Sequence, residues 1–398
     1  MKNILLSLAF IAITFYTYGQ TATSVNNGNW VSPATWQGGI VPVPGYNVII
    51  NHNVTLGTSW AYTSGSITIN QNGSLNQATT GLGLLVSDLG VFTNHGSFTF
   101  SNFALTASVS SSNTGSLINI DSLFINCDFN NSGTITAYDF LPDKQFINTG
   151  SINVTNLFNN GNLTNSGNII TVNIYNNDSL TNNNSISFFD HTNAQFLINH
   201  GTMSGSGNMY NHGRFFNEST GNINVSIDFS NVDTVYHDAY FENNGLFTIG
   251  INMSNFDTLA GASSGQFCIG HLTYNSGIFT GSFDFCDNTP PASAPYIDYN
   301  SGTIEAGIIW CVTPCGSSSG LVPIENDFTI YPNPGEIINI SNPFNETASF
   351  SIYFPDGRLA GEYTIKAGNA IQIEDLNSGI YIYHFKGGKE YSGKVVKF

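Results

Sequence analysis

A short motif that recurs at a fixed spacing constrains this chain more than any other sequence feature. Asparagine, a variable residue and then glycine or asparagine recur between about residue 70 and residue 310, followed by alternating apolar and polar residues. Five successive copies, each 17 residues after the last, begin at Asn131, Asn148, Asn165, Asn182 and Asn199. One apolar residue follows each copy at the same place, as Ile135, Ile152, Ile169, Ile186 and Met203. Each unit therefore contains short strands separated by corners.

Strands this short limit the architecture, because they cannot form a stable hairpin within one unit. They can pair with their copies in the next unit if each unit is one coil of a solenoid, with coils ~4.8 Å apart. Asparagine and glycine accept the left-handed backbone of tight corners, and stacked asparagines can form amide ladders. The repeat predicts an all-β protein with a right-handed parallel β-helix over residues 57–316. The alternative, an antiparallel sandwich array or a propeller, usually has repeats of about 40 residues or more.

The cysteines lie where the repeat becomes longer. Two late runs, 275–286 and 300–311, align 25 residues apart and place the cysteines that end them one coil apart. Outside the cytosol such cysteines favour disulfides, and this separation suits disulfide geometry. Two pairings are open: Cys286–Cys311 with Cys268–Cys315, or Cys268–Cys286 with Cys311–Cys315. Cys127, alone in an apolar run, is predicted to be a buried thiol.

The composition excludes several classes of protein. Charged residues make up 9% of the 398 residues, and 9 Lys+Arg against 26 Asp+Glu give a net charge of −17. The chain lacks the Glu, Lys, Ala and Leu mixture of helical proteins. It also lacks the clustered basic residues that neutralise phosphates, so nucleic acid is excluded as a partner. A hydrophobic content of 41%, with 13% aromatic residues, is enough for a buried core and argues against disorder.

The first residues are typical of a targeting segment. Lys2 precedes an apolar run from Ile4 to Phe15, which has the length of a signal peptide and is too short to cross a bilayer. We place the signal peptide at residues 1–19, with cleavage after Gly19. No later stretch contains the ~20 apolar residues of a spanning helix. We therefore expect export through the periplasm and no transmembrane segment.

Residues 20–56 precede the repeats and differ from them. Trp30 and Trp36 are followed by Pro42 and Pro44, and then by a strong strand signal that ends at Leu56. This run resembles the opening of G8-type domains, which precede β-helices in many exported proteins. The resemblance implies an N-terminal cap in which the tryptophans are buried. A sugar-binding role for the two tryptophans is the alternative.

The composition changes again after a Gly/Ser-rich linker at residues 317–324. Alternating segments at 350–353, 363–365, 371–373 and 381–385 predict a small antiparallel β-sandwich. Short motifs within this region contain Tyr331, Pro332, Asn333, Pro334, Asp356, Gly357, Arg358, Gly379, Tyr381, Lys394 and Lys397. In this order and spacing, residues 325–398 resemble the type A C-terminal sorting domain of the type IX (Por) secretion system of Bacteroidota.

That resemblance implies a route of export rather than an activity. The partners that it implies are the type IX secretion machinery and its sortase, which removes the domain after translocation across the outer membrane. The mature protein would be released or attached to surface lipopolysaccharide. We therefore expect it to be secreted or displayed on the outer-membrane cell surface.

Catalytic groups deserve a test, because many exported β-helices are polysaccharide lyases or glycoside hydrolases. Lys144 and Arg214 are the only basic side chains between residues 21 and 320, and neither has an obvious carboxylate partner one unit away. Hydrolysis of a glycosidic bond needs carboxylates that converge on that bond. The acidic candidates are Asp238, Glu242, Asp284 and Asp287. No nucleophile-elbow, zinc-protease, phosphate-loop or calcium-repeat motif occurs, and we predict neither a metal nor a cofactor.

One further motif lies on the repeats. Asp followed by Ser or Thr and an apolar residue resembles the O-glycosylation acceptor of this phylum, and it marks Ser122, Ser179, Thr234 and Thr258. Taken together, the sequence favours a non-catalytic adhesin or envelope scaffold. The alternative is a carbohydrate-active enzyme, or a carbohydrate-binding β-helix, that acts on extracellular glycans.

Overall fold

The structure, a computed structural model, describes residues 19–233, 238–291, 293–312, 315, 329–331, 338–342, 346–354, 358–367, 369–373, 376–377, 379–387 and 390–397. The chain divides into two compact units, Met1–Cys315 and Gly316–Phe398. Each unit has its own cluster of buried hydrophobic residues.

Short parallel strands build the first unit. Each strand pairs in register with the equivalent strand of the next coil, as Leu163 does with Leu180, and all of them join one 37-stranded sheet. Three columns of strands result, which we name faces 1, 2 and 3 in the order in which each coil passes through them. The predicted all-β class and parallel β-helix are confirmed.

The strands of face 1 are Thr21–Thr23, Asn47–Ile50, Ser111–Asn113, Phe129–Asn131, Phe146–Asn148, Asn162–Asn165, Ser179–Asn182, Phe196–Asn199, Arg214–Asn217, Tyr240–Asn243, Thr258–Gly261, Ile278–Gly281 and Thr303–Ile304. The strands of face 2 are Gly28–Asn29, Asn53–Leu56, Ser74–Gln77, Ser97–Thr99, Ser185–Phe188, Thr202–Gly205, Asn222–Val225, Leu246–Ile249, Gln266–Ile269, Asp284–Asp287 and Ile309–Trp310. The strands of face 3 are Asn102–Ala107, Asp190–Asn193, Met209–Asn211, Phe229–Asn231, Met253–Asn255, Thr273–Asn275 and Tyr299–Asn300. Longer strands turn from one face into the next: Trp60–Ile69, Gly83–Asn94, Ser116–Ile125, Thr134–Pro142, Ser151–Asn159 and Asn168–Asn176.

Alternate side chains of most strands point into the solenoid. In the coil formed by residues 162–176, Leu163, Ile169 and Ile174 are each at most 1% exposed. Burial of a leucine or isoleucine side chain contributes roughly 1.5–3 kcal/mol, and every coil repeats this contribution. The apolar residue that follows each repeated corner is buried, as the repeat predicts.

Asparagines line two of the three corners, where the Nδ2 atom of each donates to Oδ1 of the next, and all of them except the exposed Asn300 are buried. At the corner between faces 1 and 2 the donor–acceptor distances are 2.7–2.9 Å, and the members are Asn94, Asn113, Asn131, Asn148, Asn165, Asn182, Asn199, Asn217 and Asn243. At the corner between faces 3 and 1 they are 2.7–2.8 Å, and the members are Asn159, Asn176, Asn193, Asn211, Asn231, Asn255, Asn275 and Asn300. The first ladder confirms the stacking expected from the motif, and the second is new.

Two tryptophans close the start of the solenoid, near the 3-10 helices Pro33–Thr35 and Gln37–Gly39. Trp30 and Trp36 are each 2% exposed, and their ring centroids lie 5.2 Å apart. The Nε1 atom of Trp36 donates to the Trp30 carbonyl oxygen at 2.6 Å, so this indole is satisfied inside the protein. Rings buried this way cannot offer a face to a sugar, and the sugar-binding alternative is wrong. The G8-type resemblance of this segment stays a prediction.

Two disulfides join the last coils. Cys286 pairs with Cys311 at a Cα–Cα distance of 4.5 Å, and Cys268 pairs with Cys315 at 5.5 Å. The runs 275–286 and 300–311 stack in the register that the sequence predicts. The competing pairing is therefore wrong. Cys127 is a free thiol and is buried.

The second unit consists of two antiparallel sheets. One contains Thr329–Tyr331, Ile338–Ser341 and Ala370–Ile373, and the other contains Ala348–Tyr353, Leu359–Ile365, Gly379–Lys386 and Glu390–Lys397. Ile340 and Ile373 from the first sheet share a core with Phe350 and Phe385 from the second. Two sheets that bury one core form the small antiparallel sandwich that the alternating segments predict.

Candidate functional site

The acidic side chains predicted as catalytic candidates lie on different faces. Glu242 is on face 1, where it accepts hydrogen bonds from the Tyr240 hydroxyl and from Nδ2 of Asn244, each at 2.9 Å. Burial raises the pKa of Tyr240 to about 12, and the hydrogen bond to Glu242 and its negative charge act in the same direction. The Glu242 carboxylate thus holds its own neighbours in place.

Asp284 and Asp287 lie on the face 2 strand Asp284–Asp287, and both are buried. Asp284 accepts from the backbone N–H of Val312 at 3.1 Å. Asp287 accepts from the Thr273 hydroxyl and from the backbone N–H of Thr289, the latter at 2.8 Å. Burial raises the pKa of Asp287, its hydrogen bonds oppose that shift, and the nearby charge of Asp298 raises the pKa further. These two carboxylates link the last coils to each other.

The fourth candidate, Asp238, lines a cleft of about 510 Å³, as does Tyr240, the hydrogen-bond partner of Glu242. Arg214 lines the same cleft together with Asp233 and Asp257. Three carboxylates therefore share a cleft with Arg214, while the expectation that Arg214 has no obvious carboxylate partner one unit away stays a prediction. The corner residues Asn217 and Asn243 are 26 residues apart, so a fixed offset of 17 residues does not find these acids. In the part of the chain that the structure describes, no group of three His, Cys, Asp or Glu side chains is arranged to hold a metal.

Face 3 carries an outward column of apolar side chains that the core does not use. Successive coils contribute, in strand register, Leu85, Ala104, Phe124, Leu141, Phe158 and Tyr175. The Phe158 and Tyr175 rings stack with their centroids 5.0 Å apart, and Tyr175 is 38% exposed. We name this set the apolar column.

A polar column runs beside it. It consists of Asn102, Ser122, Asp139, Asn156, Asn173, Asp190, Asn208 and Asp228. Asn156 donates to Asp139, and Asn173 donates to Asn156, each through Nδ2 at 2.8 Å. The apolar and polar columns together form what we name the face 3 strip.

The strip begins in a groove of about 470 Å³. Ala61, Leu85 and Ala104 follow one another across three coils along this groove, with Trp60 beside the first of them and Phe124 in the next coil. Ser59, Asn102 and Ser122 supply its polar groups. This surface is not among those predicted from the sequence, although the signal is present: Leu123-Phe124-Ile125 and Phe140-Leu141 place an apolar residue where strict alternation predicts a polar one.

The O-glycosylation candidates on the solenoid lie in strands. Ser122, Ser179 and Thr258 are half-buried, and the Thr258 hydroxyl donates to Oδ1 of Asp257 at 3.1 Å. Thr234 lies outside the described residues. Modification at these positions stays a prediction.

The sorting-domain motif residues in the second unit have mainly structural contacts. The Arg358 guanidinium lies 5.2 Å from the centroid of the Phe354 ring. Tyr381 is buried, and its hydroxyl donates to the Asn377 carbonyl oxygen at 2.7 Å. Lys397 is only 6% exposed.

The remaining motif positions are less fully described. Gly379 begins the strand Gly379–Lys386. Tyr331 and Lys394 occupy strand positions, in Thr329–Tyr331 and Glu390–Lys397. Pro332, Asn333, Pro334, Asp356 and Gly357 lie outside the described residues.

Comparison with known proteins bears on this second unit. No curated protein matches the chain. Within the described residues, no helix is both long enough and apolar enough to cross a membrane. Residues 329–397 match the family described as the secretion system C-terminal sorting domain. The chain therefore ends in a type A sorting domain and is a substrate of the type IX secretion system, which delivers it to the cell surface or the extracellular space.

Proposed function

We propose that this protein is a non-catalytic adhesin carried by a β-helix. The face 3 strip supports this proposal, because it presents apolar side chains next to amides and carboxylates over many successive coils. Exposed apolar patches rimmed by polar residues mark binding surfaces. A surface that repeats with every coil suits attachment to an extended partner, since each coil offers a similar set of contacts.

The positions of the acidic side chains also favour binding over catalysis. Glu242, Asp284 and Asp287 accept hydrogen bonds from the solenoid itself. A glycoside hydrolase instead directs two carboxyl groups at one bond, about 5–10 Å apart. Surface lipopolysaccharide and extracellular glycans remain proposed partners, because the sorting domain implies delivery to the cell surface or the extracellular space.

The proposal is tested by measuring whether the protein adheres to cells and polysaccharide without cleaving the polysaccharide. Beads coated with the mature chain are passed over cells and over immobilised extracellular polysaccharide, and retention under flow is compared with that of beads coated with the isolated sorting domain. We expect only the beads coated with the mature chain to be retained, with no release of reducing ends or unsaturated sugars from the polysaccharide. Equal retention of both bead types would refute the proposal.

A carbohydrate-active enzyme is the second candidate, and the Arg214 cleft is the observation that favours it. An arginine beside Asp238 could bind a uronate and hold a catalytic acid in one cleft. Release of sugar products that the Asp238→Asn variant abolishes, and the Asp284→Asn variant does not, would establish this candidate in place of the adhesin.

A further inference from the structure

The groove at the start of the face 3 strip has the properties of a ligand site. Its volume of about 470 Å³ is within the range of about 300–1,000 Å³ that small-molecule sites occupy. The side chains that line it are mostly apolar, with a few polar groups, from Ser59, Asn102 and Ser122, at one side. Such sites bind ligands that have both an apolar face and hydrogen-bonding groups.

The backbone around the groove limits the class of ligand. Leu84, Leu85 and Val86 pair with Phe103, Ala104 and Leu105 of the next coil, so the main-chain groups here are used within the sheet. An extended peptide binds to a sheet through free main-chain N–H and C=O groups at its edge. The paired strands of this face offer no such free main-chain groups. A ligand must therefore bind to the side chains of the groove. A sugar can do so through hydrogen bonds from its hydroxyl groups.

The charge of the protein limits the ligand further. None of the described residues that line the groove is charged, while the chain as a whole carries a net charge of −17. Farther along the strip the charged residues are Asp139, Asp190 and Asp228, all acidic. An acidic polysaccharide, and equally a second copy of this chain, would be repelled by this field.

We infer that the groove bounded by Trp60 and Phe124 binds a neutral polysaccharide, whose chain continues along the face 3 strip. This inference rests on the proposed adhesin function and names its ligand class. The apolar C–H face of a pyranose ring lies on Ala61, Leu85 and Ala104, and its hydroxyl groups bond to the amide of Asn102 and the hydroxyl of Ser122. The next sugar units lie over Leu141 and Phe158, beside Asp139 and Asn156, which offer acceptors and donors one coil at a time.

Affinity electrophoresis of the full mature chain tests the inference, with dextran, laminarin, xyloglucan and galactomannan as neutral probes and polygalacturonate and alginate as acidic ones. We expect at least one neutral probe to retard the protein and the acidic probes to have no effect. Ala104→Trp fills the groove and should weaken the binding at least ten-fold. Asn102→Ala removes only the amide and should weaken it about five-fold, by a lost hydrogen bond. Intact-mass measurement checks whether Ser122 carries a glycan; a glycan there would fill the groove and overturn the inference.

Ser112→Trp is the matched control, because Ser112 is an outward, half-buried residue of face 1. It should bind as the unchanged protein does, and circular dichroism should show all variants folded. Binding that survives Ala104→Trp, or retardation by the acidic probes alone, would overturn the inference. So would a concentration-dependent dimer that Ala104→Trp abolishes, since the occupant would then be a second copy. If the coated beads adhere but no neutral probe binds, the ligand class is wrong while the adhesin function stands.

Discussion

At the residue scale, His191 is a buried polar side chain in an otherwise apolar position. It lies inside face 3 between Ile174 of the preceding coil and Met209 of the next, and it is fully buried. Among the described residues, neither ring nitrogen has a hydrogen-bond partner. Burial lowers the pKa of His191 from its ordinary value of 6.5 to about 3. The imidazole is therefore neutral in the folded protein and becomes charged on unfolding in mild acid.

The His191 pKa gives a pH dependence with a definite sign. His191 binds its proton more tightly in the unfolded chain than in the folded one. The contribution of this side chain to the free energy of unfolding is therefore fully present above pH about 6.5 and is lost as the pH decreases toward 3. The loss is about 1.4 kcal/mol per pH unit. We expect His191→Leu to remove this slope in urea unfolding between pH 6.5 and 5, whereas His200→Leu, at an exposed corner, should leave it unchanged. Parallel slopes for the wild-type chain and His191→Leu would contradict this account.

The asparagine ladders make a second prediction at this scale. Asn165 accepts from Asn148 at 2.8 Å and donates to Asn182 at 2.9 Å, and it is fully buried. Asn165→Ala removes both ladder hydrogen bonds and those that its Nδ2 donates to the Gly167 and Ser185 carbonyl oxygens, and should lower the free energy of unfolding by about 2–4 kcal/mol. Asn162→Ala, an exposed position in the same strand, should change it by less than about 0.5 kcal/mol. Similar losses for the two variants in denaturant unfolding would refute the structural role of the ladder.

The sequence predicts one ladder and hides the other for a physical reason. At the first corner the third position is glycine or asparagine in many coils, which makes the motif visible. At the second corner only the asparagine is constant, because its side chain alone makes the ladder, and Gly161, Asp178, Gln195 and Asp257 all occupy the third position. A search for the full motif therefore finds nearly all of the first set, but only Asn159, Asn211, Asn275 and Asn300 of the second.

At the element scale, the last coils depend on covalent links. A solenoid coil is stabilised mainly by its two neighbours, so a terminal coil lacks half of that support. The Cys286–Cys311 and Cys268–Cys315 bonds compensate at this end. The sequence predicts the stacking of these coils, because the runs 275–286 and 300–311 keep one spacing. It does not predict that Asp298 accepts a hydrogen bond from the backbone N–H of Thr273, because Asp298 follows a stretch of sequence that has no repeated counterpart.

Removal of one bond should loosen this end alone. The Cys286→Ser/Cys311→Ser double variant opens a loop of 25 residues, which should destabilise the last coils by about 3 kcal/mol. Hydrogen exchange should accelerate in residues 278–312 and remain unchanged in residues 129–217. Cys127→Ser is the control, because Cys127 is not in a disulfide. Uniform acceleration along the whole solenoid would show that these bonds support global stability instead.

At the scale of the whole molecule, the first unit is a quasi-one-dimensional array. Removal of residues 149–165 joins Asn148 to Ser166, so Asn148 takes the place of Asn165 at an equivalent corner. We expect this shorter chain to fold with an unchanged circular dichroism spectrum and an unfolding midpoint within about 5 °C of the original. Removal of residues 149–156 instead joins a face 1 strand to Leu157 of face 3 and deletes a face 2 strand, and should prevent cooperative folding. Equal stability of the two deletions would contradict the register described above.

Sequence alone predicts the fold class at this scale, but not the contacts between coils. The fold class and the sorting domain follow from patterns that recur or match a family, and both are confirmed. The face 3 strip and the Arg214 cleft depend on which residues from different coils lie side by side. In the Arg214 cleft the coils differ in length, so the contacts cannot be deduced from a single period.

The equal spacing of the middle coils also has a consequence for the gene that encodes them. Because one coil corresponds to a whole number of codons and joins seamlessly to either neighbour, slippage between repeated stretches of DNA can add or remove a complete turn in frame. Each added or removed turn would lengthen or shorten the solenoid, and the face 3 strip with it, by one coil without any new kind of packing.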